Sequence, residues 1–364
     1  QLAILESTEI KHGPLECLFT VDEETGLTGA NELEKNFFSG KILINLDSED
    51  EGELFIGCAG GVDTLATFAY DTEKVPTNST AFRLTVKGLK GGHSGDDIDK
   101  GLGNSIKIIN RFLWRGVNSY DLRLSMLDGG NLRNAIPREA YAIFTIHEED
   151  RAALRKEFTL IKNDILAELH DVEPDLSITF ENADLPPYVV DEPTQYDLLN
   201  ALYACPHGVI SMSRQLKGLV ETSTNLASVK FIQDNQILVT TSQRSSVESA
   251  KKDISNMVES VFRLANARIQ HSDGYPGWTP NTNSEILGIT RNSYIRLFGV
   301  EPVVRAIHAG LECGLFLEKY PELDMISFGP TIKAAHSPYE RLNIPSTMKF
   351  WKLLLDVLQN IPSI

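Results

Sequence analysis

Two adjacent glutamates, Glu23 and Glu24, follow an apolar run over Leu15–Val21 that has strand propensity, and they lead into a turn that contains Gly26. Neighbouring carboxylates repel each other, and burying them without compensation costs several kcal/mol, roughly, so we expect a positive group beside them. A divalent metal ion is the simplest candidate. The alternative is that both glutamates open a solvated helix, because acidic residues favour helix N-termini.

A second predicted strand, KILINLD, also ends in carboxylates, the first of which is Asp47. Open α/β sheets bind ligands beyond the carboxyl ends of their strands, so we expect Asp47 near Glu23 and Glu24. His336, in GPTIKAAHSPYE, adds one imidazole. Carboxylates with one imidazole and no clustered thiolates suit zinc, manganese or cobalt in a hydrolytic site. Taken singly, Asp47 and His336 are more often helix caps or solvated loop residues than ligands, and it is their joint placement at one sheet edge that favours a metal site.

The middle of the chain offers groups that suit substrate binding. His93 lies in the glycine-rich stretch GLKGGHSGDD, where backbone can approach a ligand closely, although a flexible surface hairpin is the alternative. Asn134 precedes a predicted strand and Arg244 follows one. Arginine suits a substrate carboxylate because its planar guanidinium makes paired hydrogen bonds, although most surface arginines have no such role. His308 and Glu312, in IHAGLECG, line the same pocket or serve only in capping and packing.

Composition and net charge indicate which partners and which cellular environment fit the protein. The chain has 364 residues, a formal net charge of −16 and a sequence pI near 5.0, which argues against nucleic acid as a partner. Its four cysteines are widely spaced, as is typical of a reducing, cytoplasmic environment. The sequence contains no apolar run of about 18 residues, so it predicts no membrane span. The opening QLAILES lacks methionine and reads as the tail of a helix, so we expect further residues upstream.

The order of predicted elements indicates an α/β protein with two domains. Strands alternate with helices in residues 1–72 and 269–364, which predicts a mostly parallel sheet with helices on both faces. Between them, the order βαββαβ from Phe82 to Glu181 is that of a ferredoxin-like unit, and a similar pattern recurs from Gln195 onward. We therefore predict a metal-binding catalytic domain, 1–72 and 269–364, and an inserted α+β lid domain, 73–268, of two such units.

Six motifs carry a resemblance to a known family. FTVDEETG, INLDSEDEGE, GGHSG, GGNLRNAIPREA, IHAGLECGLF and FGPTIKAAHSPYE resemble, in order and over the whole chain, the aminoacyl-histidine dipeptidases, also called Xaa-His dipeptidases or bacterial carnosinases. These belong to the di-zinc peptidases that pair an α/β catalytic domain with a lid. The resemblance implies a cytoplasmic hydrolase, a metalloprotease of the dipeptidase type, that cleaves Xaa-His dipeptides such as β-Ala-His. It also implies two divalent metal ions, zinc first, with manganese or cobalt as alternatives.

The resemblance assigns roles to the acidic residues. Glu23 would be the general base that takes a proton from a metal-activated water. Glu24 and His336 would bind one metal ion, and Asp47 the other. The family uses two further ligands, from a His-x-Asp motif and a metal-bridging aspartate, which do not occur in these 364 residues and are expected upstream of Gln1.

The resemblance also assigns roles to the lid. His93 would stabilise the oxyanion formed from the scissile carbonyl. Asn134 and Arg244 would hold the backbone and the terminal carboxylate of the substrate. Since these residues come from both lid units of one chain, a homodimer would not be required to complete the site.

Three other functions remain open at this point. A tripeptidase and an N-acyl amino acid deacylase of the same clan differ in substrate, and pocket shape is not readable from one sequence. The third is a non-catalytic fragment or binding protein that lacks the full set of metal ligands.

Overall fold

The computed structural model describes residues 1–22, 28–335 and 339–362. In these residues the backbone forms one sheet of four strands, one of nine strands, and three separate strand pairs. The strands of the small sheet are, in spatial order, β1 (Ile42–Asn45), β17 (Asp324–Ser327), β2 (Glu53–Cys58) and β16 (Val303–Ile307). β1 runs parallel to β17 and β2 parallel to β16, and one antiparallel contact joins β17 to β2.

Helices cover both faces of the small sheet. Met325 and Ile326 are neighbours on β17, so their side chains point to opposite faces. Met325 packs in one apolar cluster with Cys313 and Phe316, and Ile326 packs in another with Leu353. The predicted α/β layering is confirmed. The helices are α1 (Leu2–Glu6), α2 (Thr28–Glu32), α7 (Glu285–Phe298), α8 (Glu312–Lys319) and α9 (Ile344–Asn360).

The predicted strand over Leu15–Val21 is wrong, since these residues take part in no sheet pairing in the described structure. Side chains hold this segment instead of a strand ladder. The carboxylate of Glu16 accepts the backbone N–H of Ser39 at 2.9 Å and that of Gly40 at 2.8 Å. The pattern of the sequence was misleading because Phe19 and Val21 are exposed.

The large sheet is antiparallel throughout. Eight strands follow one another in the spatial order β10 (Ser177–Ala183), β5 (Ser79–Lys87), β9 (Ala140–His147), β7 (Arg123–Gly129), β13 (Val220–Ile232), β14 (Gln236–Ser245), β3 (Gly60–Ala69) and β15 (Arg268–His271). The ninth strand, β12 (Gly208–Met212), pairs with β13.

The first half of this sheet is a ferredoxin-like unit, which we call the first unit. Its chain order is β5, α3 (Ser105–Tyr120), β7, β9, α4 (Arg151–Leu169) and β10, and its spatial order is β10-β5-β9-β7. The helices begin where the sequence offers caps and apolar faces. The side chain of Asn104 accepts the first free N–H groups of α3, and Phe112 on α3 packs edge-on against Phe158 on α4.

The other half repeats the arrangement and is called the second unit. Its chain order is β3, α5 (Glu192–Ala204), β13, β14, α6 (Glu248–Leu264) and β15, with the spatial order β13-β14-β3-β15. The first unit is thus inserted between the first strand and the first helix of the second unit.

The strand β3 bears on the predicted domain boundary at residue 72. β3 pairs with β14 and β15, so the chain passes from the small sheet to the large one between Cys58 and Gly60. This strand, GGVDTLATFA, was not predicted from the sequence, because its glycine and polar residues weaken the alternation of apolar side chains. We propose that the division into two domains falls at the two sheets, with residues 60–271 as the inserted domain.

Three short strand pairs complete the described backbone. They are β4 (Thr72–Glu73) with β11 (Val189–Val190), β6 (Gly92–His93) with β8 (Ala135–Ile136), and β18 (Ile332–Lys333) with β19 (Arg341–Leu342). Among the described helices none has the length and apolar character that crossing a membrane requires.

The two units meet at a seam between β7 and β13, where Gly129 pairs with Val229. Beside it, Gly130 has φ +65°, and a Cβ at this position would meet the carbonyl oxygen of Ala227 at 1.9 Å. Lys230 reinforces the seam through hydrogen bonds to the side chains of Asp128 and Asn131. Glycine at position 130 therefore permits both the turn and the close approach of the two units.

We predict that Gly130→Ala destabilises the protein more than Gly101→Ala does. Both glycines have positive φ, but a Cβ at Gly101 has no atom within 4 Å. Gly101→Ala therefore reports the backbone strain alone, about 1 kcal/mol, whereas Gly130→Ala adds the clash and should cost about 3 kcal/mol or more. Urea unfolding measures both. Equal losses would show that the seam accommodates a side chain.

Candidate functional site

The pair β6–β8 places His93 beside Asn134. His93 pairs with Ala135, and the backbone N–H of Ser94 donates to the carbonyl of Asn134 at 2.8 Å. The backbone N–H of His93 donates to the carboxylate of Asp97 at 2.7 Å. The two predicted lid residues are thus held together by short hydrogen bonds, with Asn134 exposed and His93 half-buried.

The hydrogen bonds of His93 select its tautomer. The backbone N–H groups of Gly95 and Asp96 donate to Nδ1 of His93 at 3.3 and 3.2 Å. Since Nδ1 accepts, the proton of the neutral ring lies on Nε2, which is then a hydrogen-bond donor. The carboxylate of Asp96 lies 3.4 Å from Nδ1, a contact that becomes an ion pair when the ring is protonated.

The second unit holds the loop that carries Asn134. The side-chain amide of Asn225, on β13, donates to the carbonyls of Ala135 at 2.8 Å and Arg133 at 3.3 Å, which flank Asn134 on both sides. Asn225 is 1% exposed, so these bonds are shielded from water. Arg133 adds an ion pair to Asp63 on β3 at 3.0 Å. The position of Asn134 therefore depends on contacts between the two units.

Arg244, on β14, is a buried cation. It is 7% exposed, and its Nη1 donates to the hydroxyl of Tyr275 at 2.8 Å. Its Nε is buried and has no hydrogen-bond partner in the described parts of the chain. Burying an arginine without a paired carboxylate is costly, so this guanidinium suits an anionic ligand. Its charge also acts on Asp96 beside His93.

His308 lies in the loop after β16, and this residue contacts both units. Its Nε2 lies 2.8 Å from the hydroxyl of Ser223 on β13, and a Cβ on Gly95 would meet its carbonyl oxygen at 2.2 Å. Burial, helped by the charge of Arg244, lowers the pKa of His308 to about 4, so its ring is neutral at pH 7. The residue is 5% exposed.

Asp47 and Glu312 form the acidic side of the site. Asp47 is exposed just beyond the end of β1, and Glu312 begins α8. One carboxylate oxygen of Glu312 accepts from Thr20 at 3.2 Å, and the other is buried without a partner in the described residues. Burial, and then the charge of Asp47, raise the pKa of Glu312. Carboxylates are suitable ligands for a divalent metal ion, but the described residues bring together no group of three or more His, Cys, Asp or Glu side chains that could hold one.

Three predicted residues, Glu23, Glu24 and His336, lie outside the described residues, and their roles stay predictions. Asp22 and Thr28 are the described residues on either side of the segment that contains Glu23 and Glu24, and their side chains are hydrogen-bonded to each other. The hydroxyl of Thr28 donates to the carboxylate of Asp22 at 2.6 Å.

Four residues of the site were not predicted from the sequence: Asp96, Ser223, Asn225 and Tyr275. Asp96 stands three positions after His93 and was recognisable as a partner at turn spacing. Ser223 and Asn225 occur in the run TSTN, which reads as an ordinary polar strand. Their contacts depend on a pairing between distant segments, which spacing alone does not reveal.

The sequence profile of the Peptidase family M20/M25/M40 matches residues 1–360. The chain belongs to this family. It is 41% identical over 362 residues to the cytosol non-specific dipeptidase of Escherichia coli (strain K12), covering 100% of this chain and 74% of the relative. The crystal structure of the aminoacylhistidine dipeptidase from Vibrio alginolyticus matches with a TM-score of 0.95 and 44% identity, again over 100% of this chain and 74% of that one.

As a member of the M20/M25/M40 family, the chain is a hydrolase of peptide bonds. The predicted relationship to dipeptidases and the predicted fold class are confirmed. The family implies divalent metal ions. Carboxylates such as those of Asp47 and Glu312 are ligands that such an ion accepts.

We predict that His308 makes the protein less stable in acid. Its pKa is about 4 when folded, below the ordinary value of 6.5, so the unfolded chain binds more protons between these values and stability falls as pH drops through them. His308→Gln should remove about 2 to 3 kcal/mol of the difference in unfolding free energy between pH 7 and pH 4.5. Chemical unfolding at both pH values measures it, with His170→Gln, at an exposed ring, as control. An unchanged pH dependence in His308→Gln would contradict the prediction.

Proposed function

We propose that the chain is a cytoplasmic, metal-dependent dipeptidase that prefers Xaa-His substrates such as β-Ala-His. The observation that carries this proposal is the buried guanidinium of Arg244, which has no carboxylate partner in the described residues and lies beside the loop of His93. A dipeptide places its terminal carboxylate one residue from the scissile bond, where such a cation can bind it. The printed names of both relatives, a cytosolic dipeptidase and an aminoacylhistidine dipeptidase, support the same substrate class.

The metal ions of this proposal are two divalent cations, zinc first, held by Glu24 and His336 on one side and by Asp47 on the other. The exposed carboxylate of Asp47 and the raised pKa of Glu312 beside it support a cation at this end of the site. Bound divalent ions supply Lewis acidity, which makes water a better nucleophile near neutral pH.

The protein residues then divide the work of proton transfer and binding. Glu23 takes a proton from the attacking water and returns it to the leaving amine. Nε2–H of His93 donates to the oxyanion, a role that fits the acceptor state of its Nδ1. Asn134 and Arg244 bind the backbone and the terminal carboxylate of the substrate. The neutral ring of His308 adds no charge to this region.

We predict that Glu23→Gln abolishes turnover while metal binding survives. The amide keeps the size of the side chain but cannot accept the proton of the water, so kcat should fall about 10²-fold to 10⁴-fold. Metal content by elemental analysis and steady-state hydrolysis of β-Ala-His measure the two effects in the intact protein. Glu34→Gln, at an exposed glutamate, is the control. Retained turnover in Glu23→Gln would exclude Glu23 as the base.

One chain supplies both sides of the proposed substrate site. His93 and Asn134 lie in the first unit and Arg244 in the second, and the charge of Arg244 reaches Asp96 within the same chain. We therefore propose that a homodimer, where one forms, is not needed to complete the site.

We predict that specific activity is independent of protein concentration. Because His93, Asn134 and Arg244 come from a single chain, dilution below the dissociation constant of any dimer should leave kcat unchanged. Activity assays over a dilution series, with an inert carrier protein to prevent surface loss, test this. Sedimentation at the same concentrations reports the oligomeric state. Activity that disappears in step with dissociation would overturn the prediction.

A further inference from the structure

Tyr275 is fixed in place by its backbone and by its ring. It exchanges two backbone hydrogen bonds with Gly61, at 2.8 and 3.0 Å. Its ring lies between two glycines, since a Cβ on Gly61 would meet the ring at 2.7 Å and a Cβ on Gly310 would meet it at 2.8 Å. The ring therefore has little freedom to turn, and its hydroxyl is held at one position.

That hydroxyl contacts the guanidinium of Arg244. Nη1 of Arg244 donates to it at 2.8 Å, and Gly61 is the cross-strand neighbour of Arg244 on β3. The backbone of Tyr275 is thus hydrogen-bonded to the strand that flanks Arg244. The contact is therefore supported by backbone pairing on both sides of Gly61, with Arg244 on β14 and with Tyr275.

A tyrosine hydroxyl can orient the guanidinium of Arg244 without neutralising its charge, which a carboxylate cannot do. A guanidinium has five N–H donors in a fixed plane, so one acceptor at one nitrogen sets the direction of the others. Because the hydroxyl is neutral, it orients the group without cancelling its charge. Burial raises the pKa of Tyr275, which keeps the hydroxyl protonated near neutral pH. Arg244 therefore retains a full positive charge and, at Nε, a buried donor that has no partner in the described residues.

We propose that Tyr275 is a positioning residue that orients the guanidinium of Arg244 for the C-terminal carboxylate of the substrate, and so determines the preference for peptides with a free carboxylate. This inference rests on the proposed role of Arg244. It adds to that role the means by which a buried arginine keeps one orientation while no ligand is bound.

Tyr275 also connects this cation to the other end of the site. Gly310, which packs on the ring, lies two positions after His308 and two before Glu312. The loop on the acidic side and the guanidinium thus contact the same aromatic ring. A shift of the ring changes the position of Arg244 relative to that loop, which is why we expect the effect in substrate binding.

The test compares Tyr275→Phe with the unchanged metal-loaded protein on two substrates, β-Ala-His and its C-terminal amide. Loss of one hydrogen bond to a charged group should raise KM for β-Ala-His about tenfold and leave kcat within about twofold. KM for the amide should stay unchanged, because the amide does not need the oriented cation. Arg244→Met, measured in parallel, should remove the discrimination between the two substrates altogether.

The outcomes separate the inference from the proposed function. If Arg244→Met keeps its discrimination, the proposed role of Arg244 fails. If Arg244→Met loses it and Tyr275→Phe does not, the positioning role of Tyr275 is overturned. An equal rise in KM for acid and amide in Tyr275→Phe also overturns it, because that result indicates general damage to the site.

Two further variants test whether the selective rise in KM is specific to Tyr275 and the position of its ring. Tyr141→Phe removes a hydroxyl that contacts Met126 in the first unit, and it should leave both KM values unchanged. Gly310→Ala keeps Tyr275 but forces a Cβ against its ring, so it should repeat the selective rise in KM. Metal content and melting temperature are measured for each variant. A selective rise in Tyr141→Phe would show that the effect is not specific to Tyr275.

Discussion

The structure depends on the continuous antiparallel pairing that joins two ferredoxin-like units into one sheet. β13 is the central strand, since it pairs with β14 and β12 and meets β7 across the seam. Each unit alone would expose a strand edge, and edges that remain unpaired invite association with other chains. Where the units join, β7 meets β13 at Gly129 and Val229, and β12 covers another part of the β13 edge. This junction also fixes the loop of His93 and Asn134, from the first unit, relative to Arg244 in the second.

The site has a buried positive charge at one end and carboxylates at the other. The chain carries a net charge of −16, yet its buried guanidinium at Arg244 has no paired carboxylate in the described parts of the chain. At the other side are the carboxylates of Asp47 and Glu312, and burial, with a smaller contribution from the charge of Asp47, raises the pKa of Glu312. The loop of His308 runs between the two regions, and its buried imidazole is neutral. An anion at one end and a cation at the other would relieve both imbalances, which is the arrangement expected for a peptide carboxylate and a metal ion.

Local patterns predicted the regular elements well and the long-range contacts poorly. The sequence predicts a strand over Ala140–His147 and a helix over Arg151–Leu169, and β9 and α4 have these bounds in the structure. The strand β3 was missed, since its first residues are glycines and its partners lie far along the chain. His93, Asn134 and Arg244 were selected by residue type and motif. Asn225 and Tyr275 were not, because their importance comes from contacts between segments that the sequence does not place together.

The connection between the two sheets explains why Tyr275 can influence Arg244. The outgoing strand passes from Cys58 to Gly61, and the returning segment pairs with it at two points, Tyr275 with Gly61 and Trp278 with Cys58. Packing here is so close that a Cβ on Gly60 would meet the backbone of Gly277 at 2.5 Å. The two passages therefore form one closely packed, hydrogen-bonded ribbon between the sheets. Since Tyr275 lies in that ribbon and contacts Arg244, the orientation of the cation is linked to the geometry between the sheets.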